Sequence, residues 1–269
     1  MRAGVDYGPW HDLGNWVRYM APKGDFLAPD GGVDVAFHFH GGEVADRDWR
    51  QSGLNALVVS VTYPRWGTVQ YKAGFSDPIR FGVILDDVLK RVGATHVRRL
   101  LLVSWSAGYA AMGLVLNNAH YYALADTAIV IDGMHADYID GKPDERPLKN
   151  FERYARDAVA GKKTMLVVHS SIIPPGYAST TEMAELLCAS VGARRIEEEK
   201  RLQGGLVEWY HSDAGGLHVR GFRGEGPKDH LDQLHLLDDL VRENVTPRWT
   251  RMAIEDAQSH ADAPAPPTP

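Results

Sequence analysis

Leu100-Leu-Leu-Val-Ser-Trp-Ser-Ala-Gly-Tyr109 is the stretch on which the prediction of the fold depends. It begins as an apolar run, which predicts a buried strand, and it ends in small residues, which predict a tight turn. A helix-forming segment from Ala107 to Asn118 follows directly. The stretch therefore predicts a strand, a sharp turn and a helix, with Ser106 at the bend.

The spacing around this bend is Ser104-x-Ser106-x-Gly108. It is a variant of Gly-x-Ser-x-Gly, in which a strained turn lifts a serine hydroxyl above a sheet at the start of a helix. Such a turn crowds its neighbours, so small residues are needed two positions before and after the serine. Free amide groups at the helix start favour a developing negative charge. A serine-rich turn without chemistry is the competing interpretation.

Size and composition limit the classes of protein. The chain has 269 residues, 44% of them hydrophobic, and a formal net charge of −6. Nucleic acid is therefore not an expected partner, and no apolar run reaches the roughly 18 residues that would predict a membrane span. Cys188 is the single cysteine, which excludes a disulfide framework. With no secretory signal visible, a cytoplasmic location is expected; the oligomeric state is left open.

Strand and helix patterns alternate from residue 33 onward, which favours a mostly parallel α/β sheet covered on both faces. We expect one domain over 1–250 without a large lid, and a Pro/Ala-rich tail over 251–269 that is disordered at its end. The connection over 62–77 is long and aromatic, which is typical of a loop that lines a pocket. Strands are predicted at 16–20, 33–39, 54–61, 98–103, 127–131, 164–169, 206–210 and 217–221.

A serine nucleophile needs a base, a group that orients the base, and donors for the oxyanion. For the base, the sequence favours His230, in the loop that enters the last helix pattern. The alternatives are His169 at a strand end, His218 within a strand and His235 within a helix. Because the carboxyl ends of parallel strands share one edge of a sheet, we expect the catalytic groups to meet there.

For the acid, the sequence favours Asp132, at the tip of the Ile129-Val-Ile131 strand. A buried carboxylate there would accept the Nδ1–H of a histidine and fix its tautomer. A simple Asp-Gly turn is the competing interpretation. The rival carboxylates are Asp137, Glu182 and Asp213.

The oxyanion hole is expected from the backbone amides of Gly41 or Gly42, together with that of Ala107 after the serine. Two glycines after a strand allow the backbone to turn back and present bare N–H groups. Aromatic placement predicts three substrate contacts, which are Trp66, Tyr71 and Trp105.

With these residues in place, the chain resembles the α/β-hydrolases, in the esterase/lipase-like part of that superfamily. His38-Phe-His-Gly-Gly42 resembles the oxyanion motif after the third strand, Ser104-Trp-Ser-Ala-Gly108 resembles the nucleophile turn, and His230 resembles the late histidine. The match covers roughly residues 33–243. The resemblance implies an α/β-hydrolase fold with a sheet of about eight strands flanked by helices.

The chain departs from the family pattern at two places. Ser104 stands where the family usually has glycine. The segment after the seventh strand usually carries the acid but reads Val168-His-Ser-Ser-Ile-Ile-Pro-Pro175 here, without a carboxylate. Some family members use the end of the preceding strand instead, which is the position of Asp132.

These features predict a hydrolase of small carboxylic esters that acts through Ser106, His230 and Asp132 and an acyl-enzyme, with no cofactor. Thioesterase, peptidase or acyltransferase activity on the same residues is an alternative. A second is a metal-dependent hydrolase, with ligands from His38, His40, His135 and Asp137. A third is a hydrolase-like binding protein without turnover, which the missing acid after the seventh strand would favour.

Overall fold

The computed structural model describes residues 4–64, 67–202 and 204–261. The strands are β1 His11–Gly14, β2 Val17–Met20, β3 Gly32–Phe39, β4 Leu57–Val61, β5 His96–Trp105, β6 Ala125–Ile131, β7 Tyr138–Ile139, β8 Lys142–Pro143, β9 Thr164–Ser170, β10 Ile196–Arg201, β11 Val207–Ala214 and β12 Leu217–Phe222. The α-helices are α1 Asp46–Gln51, α2 Thr68–Phe75, α3 Arg80–Val92, α4 Tyr109–Asn117, α5 Ala119–Leu124, α6 Lys149–Val159, α7 Thr180–Val191, α8 Pro227–Leu234, α9 Leu237–Leu240 and α10 Thr246–Ala261.

Ten of these strands form one sheet, in the order β1-β2-β4-β3-β5-β6-β9-β12-β11-β10. The six strands from β4 to β12 in that order pair in parallel. The two strands at each end of the sheet pair antiparallel. The central strands β3, β4 and β9 are buried along their whole length, as expected of parallel strands covered on both faces.

Two apolar clusters lie on opposite faces of this sheet. The larger cluster joins sheet residues to helices α3, α4, α6 and α7. The smaller one joins the alternate residues of the same strands to α1 and the C-terminal helices. Because side chains alternate along a strand, one apolar run supplies both faces. The predicted architecture, a mostly parallel α/β sheet flanked by helices on both faces, is confirmed.

The sheet has ten strands instead of the predicted eight or so, and the additional strands lie at its edges. Strand β10, of sequence Ile-Glu-Glu-Glu-Lys-Arg, is exposed at every position. It has no apolar alternation to predict it, and charge on an edge strand prevents pairing with other chains. The segments predicted at 206–210 and 217–221 form the antiparallel hairpin of β11 and β12.

Two helical regions also differ from the predictions. The segment over 62–77, predicted as a loop, contains helix α2. The last helix pattern of the sequence is divided into α8, α9 and a π-helical turn at Val241–Val245, and His230, predicted in the loop before it, lies within α8. Helix α10 then crosses the predicted domain boundary at residue 250; residues 262–269 of the predicted tail lie outside the described residues. Among the described helices, none is long and apolar enough to cross a membrane.

Candidate active site

Ser106 stands at the strained turn between β5 and α4. Its φ is +49°, in the left-handed region that non-glycine residues rarely adopt, and a 3₁₀ turn over Ser106–Gly108 leads into the helix. A Cβ at Gly108 would lie 2.1 Å from the carbonyl oxygen of Phe39. The turn therefore has no room for a larger residue, and the strained serine has the geometry expected of a functional position.

Ser104 occupies the other small position of the turn. Its side chain is fully buried, and its hydroxyl lies 3.8 Å from Met112 Sδ. The turn therefore accommodates a serine at the position where the α/β-hydrolases usually have glycine, because the hydroxyl packs against helix α4.

The structure brings His230 and Asp132 together from separate elements. Asp132 directly follows β6 with a φ of +43°, and His230 lies in the first half of α8. His230 Nδ1 is 2.7 Å from Asp132 Oδ2. Because an ionised carboxylate only accepts hydrogen bonds, Nδ1 must carry the proton. The second ring nitrogen, Nε2, is then the basic one.

Several further donors hold the Asp132 carboxylate, which is 2% exposed. Ser170 donates its amide at 2.8 Å and its hydroxyl at 2.9 Å, and Thr180 donates its hydroxyl at 3.0 Å. Burial alone would raise the pKa of Asp132, but the hydrogen bonds from His230 and Ser170 outweigh it and lower that pKa. Asp132 is therefore a fixed anion at neutral pH.

Sequence reasoning missed Ser170 and Thr180. Ser170 ends β9, the strand next to β6 in the sheet, so the strand order was the signal that would have placed it beside Asp132. Thr180 opens α7, and its position depends on the connection after β9, which no sequence pattern specifies.

Trp105 positions the imidazole of His230. The two rings stack with centroids 4.9 Å apart, and the indole N–H donates to the backbone carbonyl of His230 at 3.1 Å. Because Trp105 directly precedes Ser106, this contact connects the histidine to the nucleophile turn. The segment that carries Asp132 also packs against this turn. Gly133 lies so close to Ser106 that a Cβ at position 133 would be 2.9 Å from the carbonyl oxygen of Ser106.

In the part of the chain that the structure describes, Ser106 Oγ has no hydrogen-bond partner within 3.5 Å. Catalytic hydrogen bonds are often longer in unliganded sites and tighten around the substrate. The roles of Ser106, His230 and Asp132 as a triad therefore stay a prediction, for which the structure supplies the histidine–aspartate half.

The rival histidines are held elsewhere. His169 Nε2 is 2.5 Å from the Tyr210 hydroxyl in the core. His218 pairs with Asp213 at 2.6 Å, and His235 pairs with the largely buried Asp48 at 2.7 Å. None of these three pairs involves the nucleophile turn.

The rival carboxylates also have other partners. Asp213 is the partner of His218, and Glu182 forms a capping box with Ser179 at the start of α7. Asp137 lines the cavity beside Ser106, so it lies near the site without contacting the predicted base.

The predicted oxyanion loop follows β3. His40 and Gly41 have φ values of +72° and +83°, so the backbone turns sharply here. The Gly41 amide donates to Thr62 Oγ1 at 3.2 Å, and the Thr62 hydroxyl donates to Glu43 Oε2 at 2.8 Å. The Gly41 amide is therefore engaged by Thr62, and Gly42 and Ala107 stay the predicted donors.

Two of the three aromatic residues predicted as substrate contacts are buried. Trp105 is 2% exposed and Tyr71 has no exposed surface. The Trp105 ring stacks on the rings of both His230 and His40, and the Tyr71 hydroxyl is 2.8 Å from His40 Nδ1. Both have a supporting role in the packing, and their contact with substrate stays a prediction. Trp66, the third, lies outside the described residues.

A cavity of about 290 Å³ opens beside Ser106. Its walls come from the start of α2, from the nucleophile turn, and from the segment that follows β6. Polar and charged side chains dominate the walls: the cavity is lined by Gly67, Thr68, Lys72, Ser106, Ala107, Tyr109, His135, Ala136, Asp137, Asp144, Pro147 and Tyr177.

The structure does not assemble the predicted metal-ligand set. Within the described residues, no group of three or more His, Cys, Asp or Glu side chains is placed to hold a metal ion. His38 Nδ1 accepts from the Trp49 indole at 3.1 Å, while His40 Nδ1 contacts the Tyr71 hydroxyl. The two imidazoles are therefore held by different neighbours.

Comparisons with known proteins add little. No family model matches the chain, and no curated protein matches it. Three solved structures to which it is similar are the BES protein from Bacillus cereus (TM-score 0.48, 11% identity, 88% of this chain and 95% of that chain), an arylesterase (0.44, 15%, 90% and 85%) and the Pyrobaculum calidifontis esterase (0.46, 14%, 84% and 80%). At this level these likenesses carry no argument about activity.

The fold class follows from the structure itself. A strained serine after a strand of a parallel sheet, followed along the chain by an aspartate at a strand end and then by a histidine bonded to it, resembles the arrangement found in the α/β-hydrolase fold. The fold by itself does not specify the substrate or the reaction.

Proposed function

We propose that this protein hydrolyses carboxylic esters through Ser106, His230 and Asp132. The observation that carries the proposal is the 2.7 Å contact of His230 Nδ1 with the buried Asp132 carboxylate, beside a serine held in a strained turn. This contact fixes the tautomer in which Nε2 is a base, which is the state that activating a serine requires.

The reaction would proceed in two steps. Ser106 Oγ attacks the ester carbonyl carbon while His230 Nε2 takes the hydroxyl proton. The amides of Gly42 and Ala107 stabilise the oxyanion of the tetrahedral intermediate, which collapses as His230 returns the proton to the leaving alcohol. Water, deprotonated by His230, then releases the acid from the acyl-enzyme, and Ser106 regains its proton.

The test uses a fluorophosphonate probe and p-nitrophenyl acetate. We expect the wild-type protein to be labelled and to hydrolyse the ester, and Ser106→Ala to lose both properties, with kcat reduced by about 10⁴-fold or more. Ser190→Ala, at an exposed position in α7, is the matched control and should keep both.

The outcomes separate the alternatives. Labelling of Ser106 without ester turnover would support the same machinery acting on thioesters or amides. A wild-type protein that neither reacts with the probe nor hydrolyses the ester would refute the proposal and favour the binding protein without turnover. Turnover retained in Ser106→Ala would refute the assignment of the nucleophile.

A further inference from the structure

The cavity beside Ser106 has an imidazole in its wall that the proposed mechanism does not use. His135 lines this cavity together with Ser106 and Ala107. The cavity therefore contains both the proposed nucleophile and a proposed oxyanion donor, so part of the substrate must enter it. Its volume of about 290 Å³ is at the small end of ligand sites, which admits a short group.

A strained backbone segment places His135 in that wall. Asp132 and Met134 both have positive φ values, +43° and +66°, and Met134 is 1% exposed. A non-glycine residue in the left-handed φ region costs on the order of 1–3 kcal/mol, and this short segment contains two. The Tyr109 hydroxyl donates to the backbone carbonyl of His135, which holds the segment in this conformation.

The imidazole of His135 has an unused polar atom. Its ring makes edge contacts with Tyr109 and Tyr177, at centroid distances of 5.9 and 5.4 Å. Its Nδ1 is buried and has no hydrogen-bond partner among the described residues. Because Nδ1 has no open surface, the ring nitrogen that a ligand can reach is Nε2, which is not among the buried unpartnered atoms of the described residues.

The charge state of His135 favours a neutral partner. Burial lowers its pKa to about 4; the attraction of Asp132 opposes this shift, and a smaller repulsion from His230 adds to it. At neutral pH one ring nitrogen is then a donor and the other an acceptor. A hydroxyl group, which both donates and accepts, can pair with Nε2 in either tautomer.

The charged residues of the cavity oppose one another. Lys72 and Asp137 carry opposite charges in its wall. Asp144 is bound by the guanidinium of Arg146 at 2.8 and 3.0 Å, so its charge is compensated. The formal charges of the cavity wall and of Arg146 thus balance, which favours an uncharged polar ligand over an ion.

We propose that this cavity binds a small, uncharged, hydroxylated acyl or alcohol group of the ester, and that His135 recognises its hydroxyl. The inference rests on the proposed ester hydrolysis and adds a substrate class to it. A carboxylate directed to Lys72 and an ammonium directed to Asp137 are the competing ligands.

The test compares esters that differ by one hydroxyl. Methyl 3-hydroxybutyrate is paired with methyl 3-methylbutyrate for the acyl side, and 2-hydroxypropyl butyrate with 2-methylpropyl butyrate for the alcohol side. We expect kcat/KM of the wild-type protein to favour the hydroxylated member of one pair by about tenfold or more. The pair that responds identifies which side of the ester enters the cavity.

Variants of His135 connect this preference to the imidazole. His135→Phe should reduce the ratio of kcat/KM within the responding pair to about one, mainly by raising KM for the hydroxylated ester. His135→Gln should restore part of the ratio because it keeps a donor and an acceptor at this position. His120→Phe, at an exposed position in α5, is the matched control.

Failure of this proposal is distinguishable from failure of the proposed function. If the probe labels Ser106 but neither hydroxylated ester is preferred, or if a monosuccinyl or aminoacyl ester is preferred instead, the substrate class is wrong while the hydrolase proposal stands. An unchanged ratio in both His135 variants would refute the role of His135. A wild-type protein that fails to label would refute the hydrolase proposal itself.

Discussion

Asp132→Asn is the substitution whose effect the structure specifies most closely. The amide of Ser170 and the hydroxyl of Thr180 donate to Asp132 Oδ1 at 2.8 and 3.0 Å, while the Ser170 hydroxyl lies between the two carboxylate oxygens, at 3.0 Å from Oδ1 and 2.9 Å from Oδ2. An asparagine keeps one carbonyl oxygen, and these donors would hold it at the Oδ1 position. The amide NH₂ would then take the Oδ2 position and face His230 Nδ1.

The consequence is a change of tautomer. A donor facing Nδ1 requires this nitrogen to be an acceptor, so the proton moves to Nε2 and the imidazole can no longer deprotonate Ser106. In the serine proteases the same replacement, with the geometry kept, costs about 10⁴-fold in kcat. That factor corresponds to about 5.4 kcal/mol at 1.36 kcal/mol per decade, and we expect a loss of about 10³–10⁴-fold here.

The assay is steady-state hydrolysis of p-nitrophenyl acetate, with thermal unfolding measured in parallel to verify folding. Asp48→Asn is the matched control, because Asp48 is also largely buried and also bonds a histidine Nδ1, that of His235, at 2.7 Å. We expect Asp48→Asn to keep its kcat within about twofold, since the pair has no contact with the nucleophile turn.

The reasoning fails if a folded Asp132→Asn protein keeps kcat within tenfold of the wild type. It also fails if the control loses as much activity as the test variant, because the effect would then follow from any buried histidine–carboxylate pair. A loss in Asp132→Asn alone would tie the acid to the chemistry.

Two other predictions concern the oxyanion loop and the dependence of stability on pH. Thr62→Val removes the acceptor for the Gly41 amide, so we expect kcat for the same ester to fall about tenfold with little change in KM, and Thr62→Ser to restore it; an unchanged kcat in Thr62→Val would contradict this. Burial lowers the pKa of His38 to about 3 and those of His40 and His135 to about 4, so the unfolded chain takes up protons first as the pH falls below about 6.5. The free energy of unfolding is therefore highest above that pH and declines towards pH 4, by up to about 1.4 kcal/mol per pH unit for each imidazole. Urea unfolding midpoints at pH 7, 6 and 5 measure this decline, and a midpoint independent of pH would refute it.

The sheet could be predicted because its signals are local. Apolar runs such as Leu100–Val103 specify buried strands, and Gly93 ends α3 in the left-handed conformation with a φ of +75°. Strand β10 escaped prediction because nothing in its composition is apolar or alternating in the way that a buried strand requires. Helix α2 also escaped prediction, because its glycine and aromatic residues read as loop.

The site was partly predictable for a different reason. The chain order of serine, aspartate and histidine, combined with the shared edge of a parallel sheet, indicated that Asp132 and His230 would approach, and the structure places them in contact. The sequence did not indicate that Trp105 would stack on the imidazole of His230. An aromatic residue at such a turn has no sequence pattern that distinguishes contact with the substrate from packing against a catalytic side chain. That difference depends on burial, which tertiary packing decides.

The main-chain contacts of the nucleophile turn bear on attempts to redirect this protein to other substrates. A Cβ at Gly108 would lie 2.1 Å from the carbonyl oxygen of Phe39, and one at Gly133 would lie 2.9 Å from that of Ser106, so libraries of variants at these two positions should yield mostly unfolded chains. Lys72, His135 and Asp137 in the cavity wall are not glycines packed against a backbone. Libraries of variants at these three positions should therefore change the substrate preference and leave the turn at Ser106 in place.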